Sequence, residues 1–158
     1  MDNLNNGIKG GNFCMGSAAL AIGDGSKLGV AIQATVGAGL DFCIDGIMYH
    51  HADAATDLPL TAATAQGLLT KCLYLIVLDS AGTVTSVKGT PVLTADLVAG
   101  TKVLQWPVCP ANKAPIGAVK MAVTTSYNFT AGTTALDATG CTATYYNLFA
   151  VPTAPLTS

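Results

Sequence analysis

The sequence predicts an all-β single domain, an antiparallel β-sandwich or barrel with one or two short helices and extended termini. Three observations carry that reading. Short runs rich in Val, Ile, Thr and Tyr alternate with turn residues, and Gly punctuates them throughout. No segment sustains the apolar period of a long amphipathic helix. Turn signals recur at spacings of about 8 to 15 residues, as in all-β folds. A chain of 158 residues is one domain by length and buries a core without metal or disulfide staples.

Taken in order, residues 1–12 form a polar, Asn/Gly-rich arm, either mobile or ordered by a neighbour. Residues 13–149 are the β-rich domain, and the uncharged tail 150–158, with two prolines, is extended and reaches another subunit. Within the domain, strands are predicted at 13–22, 28–36 and 40–49. The last is broken at Asp45-Gly46, a pair suited to the positive φ angles of a type I′ hairpin turn. "LTAATAQGLLTKC" predicts a helix over 61–69 with Thr61 as its cap, weakened by Gly67. A hairpin follows: strand 71–78, a turn at Asp79 to Gly82, and strand 83–88. The first of these strands is apolar on both faces and belongs in the middle of a packed sheet. "LTADLVAG" reads as one helical turn from Thr94 to Gly100, and "WPVCPANKAPIG" as a rigid loop. Strands at 116–125, 126–129 and 142–149 complete the domain, with the last two joined by "TAGTTALDATG".

Charge is scarce. Nine acidic and seven basic residues make up 10% of the chain, where roughly 25% is usual. A monomer of this size exposes on the order of 7,000 Å², so its surface is mostly Ala, Thr, Gly, Ser and Val. Such a surface suits a lattice or oligomer better than a free monomer. The net charge of −2 gives no basic field for nucleic acid, so direct DNA or RNA binding is not expected. The longest apolar run, Leu73 to Leu78, is far short of a membrane span. "MDNLNNGIKGGNF" has no basic-then-apolar leader pattern, so a protein made and at first kept in a cytosol is expected.

The residues with chemistry in reach are few. All nine acids are Asp and all seven bases Lys, which removes the guanidinium forks that many phosphate and carboxylate sites use. Cys14, Cys43, Cys72, Cys109 and Cys141 are dispersed, with no paired spacing, and read as buried thiols in a reducing compartment. His50-His51 beside Asp53, with Cys43 or Cys72 as an imagined nucleophile, is the one cluster to weigh for metal or base chemistry. Adjacent strand residues point to opposite faces, so the expectation is one exposed and one half-buried histidine at a strand end. "GDGS" at 23–26 lacks the further carboxylates of a calcium loop and reads as a tight turn. Gly10-Gly11 and "VGAGL" lack the context of a nucleotide site. The expectation is a protein with no catalytic residues, cofactor or metal. Trp106, Tyr145, Tyr146 and Phe149 are the candidate interface anchors, selected because aromatic side chains dominate interface energetics.

Three segments, "LDSAGTVTSVKGTPVL", "LQWPVCPANKAPIGAVKMAV" and "NFTAGTTALDATGCTATYYNL", together resemble a pattern in small structural proteins of tailed bacteriophage virions. The likeness spans roughly residues 41–147, and no catalytic motif defines it. It implies a β-rich, homo-oligomeric, non-enzymatic protein on the virion capsid surface. Its partners would be the major capsid protein and itself, as a homo-oligomer such as a trimer, in the role of a capsid decoration (cement) protein. The alternative is a tail- or head-fibre module that binds a host receptor or glycan through Trp106, Tyr49 and the paired histidines. The chain carries more cysteine than that pattern leads one to expect.

Overall fold

In the computed structural model, residues 11–34, 37–125 and 127–156 are described. The predicted N-terminal arm therefore lies outside the described residues, apart from Gly11 and Asn12. The chain is almost entirely β, 45% strand and 3% helix, in three antiparallel sheets with one short helix. The strands are β1 (Phe13–Cys14), β2 (Ala21–Ile22), β3 (Gly29–Ile32), β4 (Leu40–Ile44), β5 (Ile47–His51), β6 (Ala54–Pro59), β7 (Thr70–Asp79), β8 (Val84–Lys88) and β9 (Val92–Leu93). Helix α1 (Thr94–Val98) follows, then β10 (Lys113–Val123) and β11 (Cys141–Asn147).

The largest sheet runs β11-β10-β7-β8, with β9 also pairing β7. Its centre is β7, as the strand's two apolar faces predict: Cys72 to Leu78 are all buried. One face presents Tyr74, Ile76 and Leu78 with Ile116, Val119 and Met121 to the main core. The small sheets β1-β4-β5 and β2-β3-β6 close that core with Phe42, Leu40, Val30 and Ile32. The opposite face of β7 is covered by the chain itself. Leu73 packs with Val92, Leu97 and Leu104, and Trp106 and Leu156 lie against them. The second face of β7 is thus covered at its Leu73 end by α1, the segment carrying Leu104 and Trp106, and the C-terminal tail.

Both hairpin turns form as predicted. Asp45 and Gly46 adopt φ of 51° and 85°, the left-handed pair a type I′ turn needs. In the β7–β8 turn, the Asp79 carboxylate accepts from the N–H groups of Thr83 (2.8 Å) and Ala81 (3.0 Å). The Thr83 bond first, with Ala81 and Lys113 behind it, holds the Asp79 carboxyl below the usual carboxylate range. Because the folded pKa is depressed, the turn's stabilisation is present above the unfolded value near 3.9 and is lost as pH falls through the lower folded value. An NMR titration of side-chain carboxyl carbons should place the Asp79 midpoint below that of an Asp in the unfolded chain, and Asp79→Asn should remove that part of the acid dependence.

Several boundaries differ from expectation. The helix predicted over 61–69 does not form: the segment carries a bridge from Gln66 to Phe129 and ends in a turn at Leu68-Leu69, where Leu69 has a φ of 54°. Burying Gln66 against its partners outweighs a weak local helical preference. The strand predicted at 13–22 is two separate strands, β1 and β2, because Ala19 takes a positive φ of 44° between them. The strand predicted at 28–36 is β3, which ends at Ile32. Residues 127–129 contain only the Phe129 bridge and no strand. Strand β6 was not predicted, its Ala-Ala-Thr-Asp run being neither strongly apolar nor alternating. Asp57 on β6 holds the neighbouring strand: its carboxylate accepts from the N–H groups of Leu28 (2.9 Å) and Gly29 (2.7 Å) and from the Ser26 hydroxyl. That contact closes the "GDGS" turn, where Gly25 has a φ of 87°.

Candidate binding surface

The four aromatic residues picked out by type do not form one site. Trp106 and Tyr146 meet edge to face, with ring centroids 6.2 Å apart, and the Trp106 indole N–H donates to the Ala154 carbonyl at 2.8 Å. The Lys120 ammonium lies 5.8 Å from the Tyr146 ring centroid. Leu156 adds a main-chain bond to Leu104 (2.9 Å), so this aromatic pair clasps the tail onto its own domain. Tyr145 turns to the opposite side of β11 and packs half-buried on the main core, where burial raises its hydroxyl pKa. Phe149 stands 59% exposed, beside β1, whose Cys14 N–H donates to its carbonyl at 2.7 Å. Trp106→Phe should keep the ring contact and lose the bond to Ala154. The expected cost is about 1 kcal/mol, read as a lower unfolding midpoint and faster proteolytic removal of the tail.

A broader apolar surface lies on the sheet β1-β4-β5, and sequence reasoning by aromatic type passed over it. The register places Phe13 opposite Cys43, and Cys43 opposite Met48, so the three side chains share a face. Cys43 is buried beneath, while Phe13 and Met48 are exposed. The other face of the same strands turns Cys14, Phe42 and Ile44 into the core, with Phe42 stacked on Tyr49 at 5.6 Å. The Met15 N–H donates to the Asp41 carbonyl at 2.9 Å and continues the ladder, which adds exposed Met15 beside the row. Alternation along β1 was the available signal: "NFCMG" has Phe13 and Met15 on one side and Cys14 on the other.

The histidines take the positions expected of a strand end. His50 is exposed, with Nδ1 2.8 Å from an Asp41 carboxylate oxygen. His51 is half-buried on the other side, and its Nδ1 has no hydrogen-bond partner among the described residues. Asp53 accepts instead from the Ala34 N–H at 2.9 Å. Among the described residues no three His, Cys or Asp side chains converge to hold a metal. A groove of about 230 Å³ beside this sheet is lined by Met15, Ser17, Ala34, Gly39 and Asp41 among others, and Asp41 is its one titratable lining residue among those described. The cysteines are unpaired, and burial pushes the Cys72 thiol up to about 11, so it stays protonated and unreactive at neutral pH. Trp106, Tyr49 and the two histidines, the groups a glycan groove would need, are not gathered: the first clasps the tail and the second stacks on Phe42.

Against known proteins, the chain matches no family model, no curated protein and no solved structure. No helix among the described residues is long and apolar enough to cross a membrane.

Proposed function

We propose that this protein is a structural component of a tailed-bacteriophage virion, a cement protein that decorates the capsid surface and stabilises the shell of major capsid protein. The observation that carries the reading is the exposed row of Phe13, Met15 and Met48 on a folded sheet face, in a chain with few charges to keep such a face in water. The resemblance of residues 41–147 to virion structural proteins supplies the kind of partner. The face would bury apolar surface across the junctions between shell subunits. A ligand that binds only the expanded shell stabilises that state by mass action. Neither nucleic acid nor membrane is needed for this role, and neither is any reaction.

The test is occupancy on purified particles. The wild-type chain should be present in hundreds of copies per particle and visible over the capsid in a density map. Met48→Asp, at an exposed position, should leave the fold intact and strip the protein from particles. A dozen copies or so at the tail or on fibres would replace this reading with the receptor-binding one. Unchanged occupancy of Met48→Asp would remove the β1-β4-β5 face from it.

A further inference from the structure

We infer that the outer edge of β11 is a self-association edge, on which β11 of a second copy of this chain pairs antiparallel. It rests on the reading above for the homo-oligomer that the resemblance implies, and supplies its self-contact as a dimer instead of a trimer. It is measured on the isolated protein, so its failure leaves the capsid reading standing, and the reverse.

The hydrogen-bond phase of β11 shows which groups face outward. Beyond the two ends of the β10–β11 register, the Leu148 N–H donates to the Ile116 carbonyl (3.2 Å) and the Thr124 N–H to the Gly140 carbonyl (2.9 Å). Bonded and non-bonded pairs alternate in an antiparallel ladder. Thr142, Thr144 and Tyr146 therefore exchange main-chain bonds with β10, and Cys141, Ala143, Tyr145 and Asn147 turn their main-chain groups outward. The Cys141 N–H is taken by the Ala138 carbonyl at 2.8 Å. Among the described residues, the outward main-chain groups of Ala143, Tyr145 and Asn147 have no partner.

The other edge of this sheet is guarded, which makes the contrast informative. On β8, the Ser86 N–H donates to the Thr61 hydroxyl and the Thr61 N–H to the Ser86 hydroxyl, both at 2.9 Å. Lys88 reaches from the same strand to the Thr64 carbonyl at 2.7 Å. Free edges in natural proteins carry lysine, proline, a bulge or a covering segment to prevent edge-to-edge pairing. β11, "CTATYYN", has no charge and no proline, and its register against β10 is unbroken.

A second copy fits because the strand is self-complementary. In the antiparallel register that pairs all seven residues, Thr144 lies opposite itself on the two-fold axis, Thr142 opposite Tyr146, and Ala143 opposite Tyr145. The outward residues Ala143 and Tyr145 then fall at hydrogen-bonded positions, as they must, and about six new main-chain bonds form. Thr–Thr and aromatic–β-branched pairs are favourable cross-strand neighbours, and no like charges meet. The two sheets would join into one, and the two-fold closes the assembly at a dimer. Lys120, the nearest charge on this face, sits one strand in, opposite Thr144, and leans over Tyr146.

Sedimentation velocity on the full chain tests this. Wild type should be a dimer, and exposed Thr144→Lys should weaken it at least about tenfold by placing two ammonium groups at the axis. Thr144→Asp should do the same, and an equal mixture of the two variants should recover a dimer. Ala143→Pro removes only an outward N–H, so it should also yield a monomer with an unchanged circular dichroism spectrum. A wild type that is monomeric at high micromolar concentration overturns the inference, as does a dimer that survives Thr144→Lys. A dimer lost on deleting residues 2–11 but kept in Thr144→Lys would assign the contact to the N-terminal arm instead.

Discussion

Gly29→Ala should cost this fold at least about 3 kcal/mol, a large share of the total stability of a domain this size. Gly29 is buried on β3 and pairs with Pro59 of β6. A Cβ there would overlap the Leu58 carbonyl and stand 2.5 Å from the Pro59 Cα. These are main-chain atoms of a paired strand, so no rotamer change relieves the overlap. The two strands would have to separate, which would also pull the Gly29 N–H off the Asp57 carboxylate. Gly67→Ala is the matched control: nothing lies within 4 Å of its Cβ position. That change should fall within about 0.5 kcal/mol of wild type, as surface substitutions usually do. Denaturant unfolding of both variants checks the pair, and a Gly29→Ala protein as stable as the control would show that β3 and β6 do not pack this closely.

What the sequence disclosed follows from which signals are local. The β7–β8 hairpin and the β4–β5 turn were readable because their determinants sit within a few residues: an apolar run before Asp-Ser-Ala-Gly and a Thr/Val-rich run after it, or Asp-Gly between alternating strands. The apolar-on-both-faces pattern of 72–78 correctly placed β7 at the centre. The failures are of the opposite kind. β6 pairs with β3 over a long separation, and Asp57, its main tie, looks like any surface carboxylate in the sequence. The surface followed the same division. Trp106 and Tyr146 stand out by type, yet their partners are each other and a tail some fifty positions away, and only the fold shows that. Phe13 joins Cys43 and Met48 on one face through the β1–β4 register, which no local pattern specifies, whereas the Asp45-Gly46 turn sets the β4–β5 register.

The segment that defied its helical reading carries the second large effect. Among the described residues, Gln66 is the one buried polar side chain, and its three hydrogen bonds tie the segment before β7 to the paired strands β7 and β10. Its amide nitrogen donates to the carbonyls of Thr70 (3.1 Å) and Met121 (3.0 Å), and its oxygen accepts from the Tyr74 hydroxyl at 3.3 Å. Its main chain exchanges two bonds with Phe129, whose ring meets Tyr74 edge-on at 5.7 Å. Gln66→Met fills the space but strands these buried groups, at an expected cost of about 3 kcal/mol. Tyr74→Phe should cost about 1 kcal/mol, and the double variant should cost less than the sum, because it deletes a hydroxyl that has already lost its acceptor. Gln66→Glu separates the hydrogen-bond role from shape. A carboxylate there would face two carbonyls in a buried site, so its folded pKa is raised above the unfolded value near 4.3. The folded state then binds the extra proton, and stability of Gln66→Glu should rise as pH falls from the raised folded pKa towards 4.3. Wild type lacks this dependence because an amide does not titrate. Urea unfolding at pH 7 and pH 5 measures the difference, and a Gln66→Glu protein whose deficit is the same at both would show that this side chain is solvated and does not tie the core together.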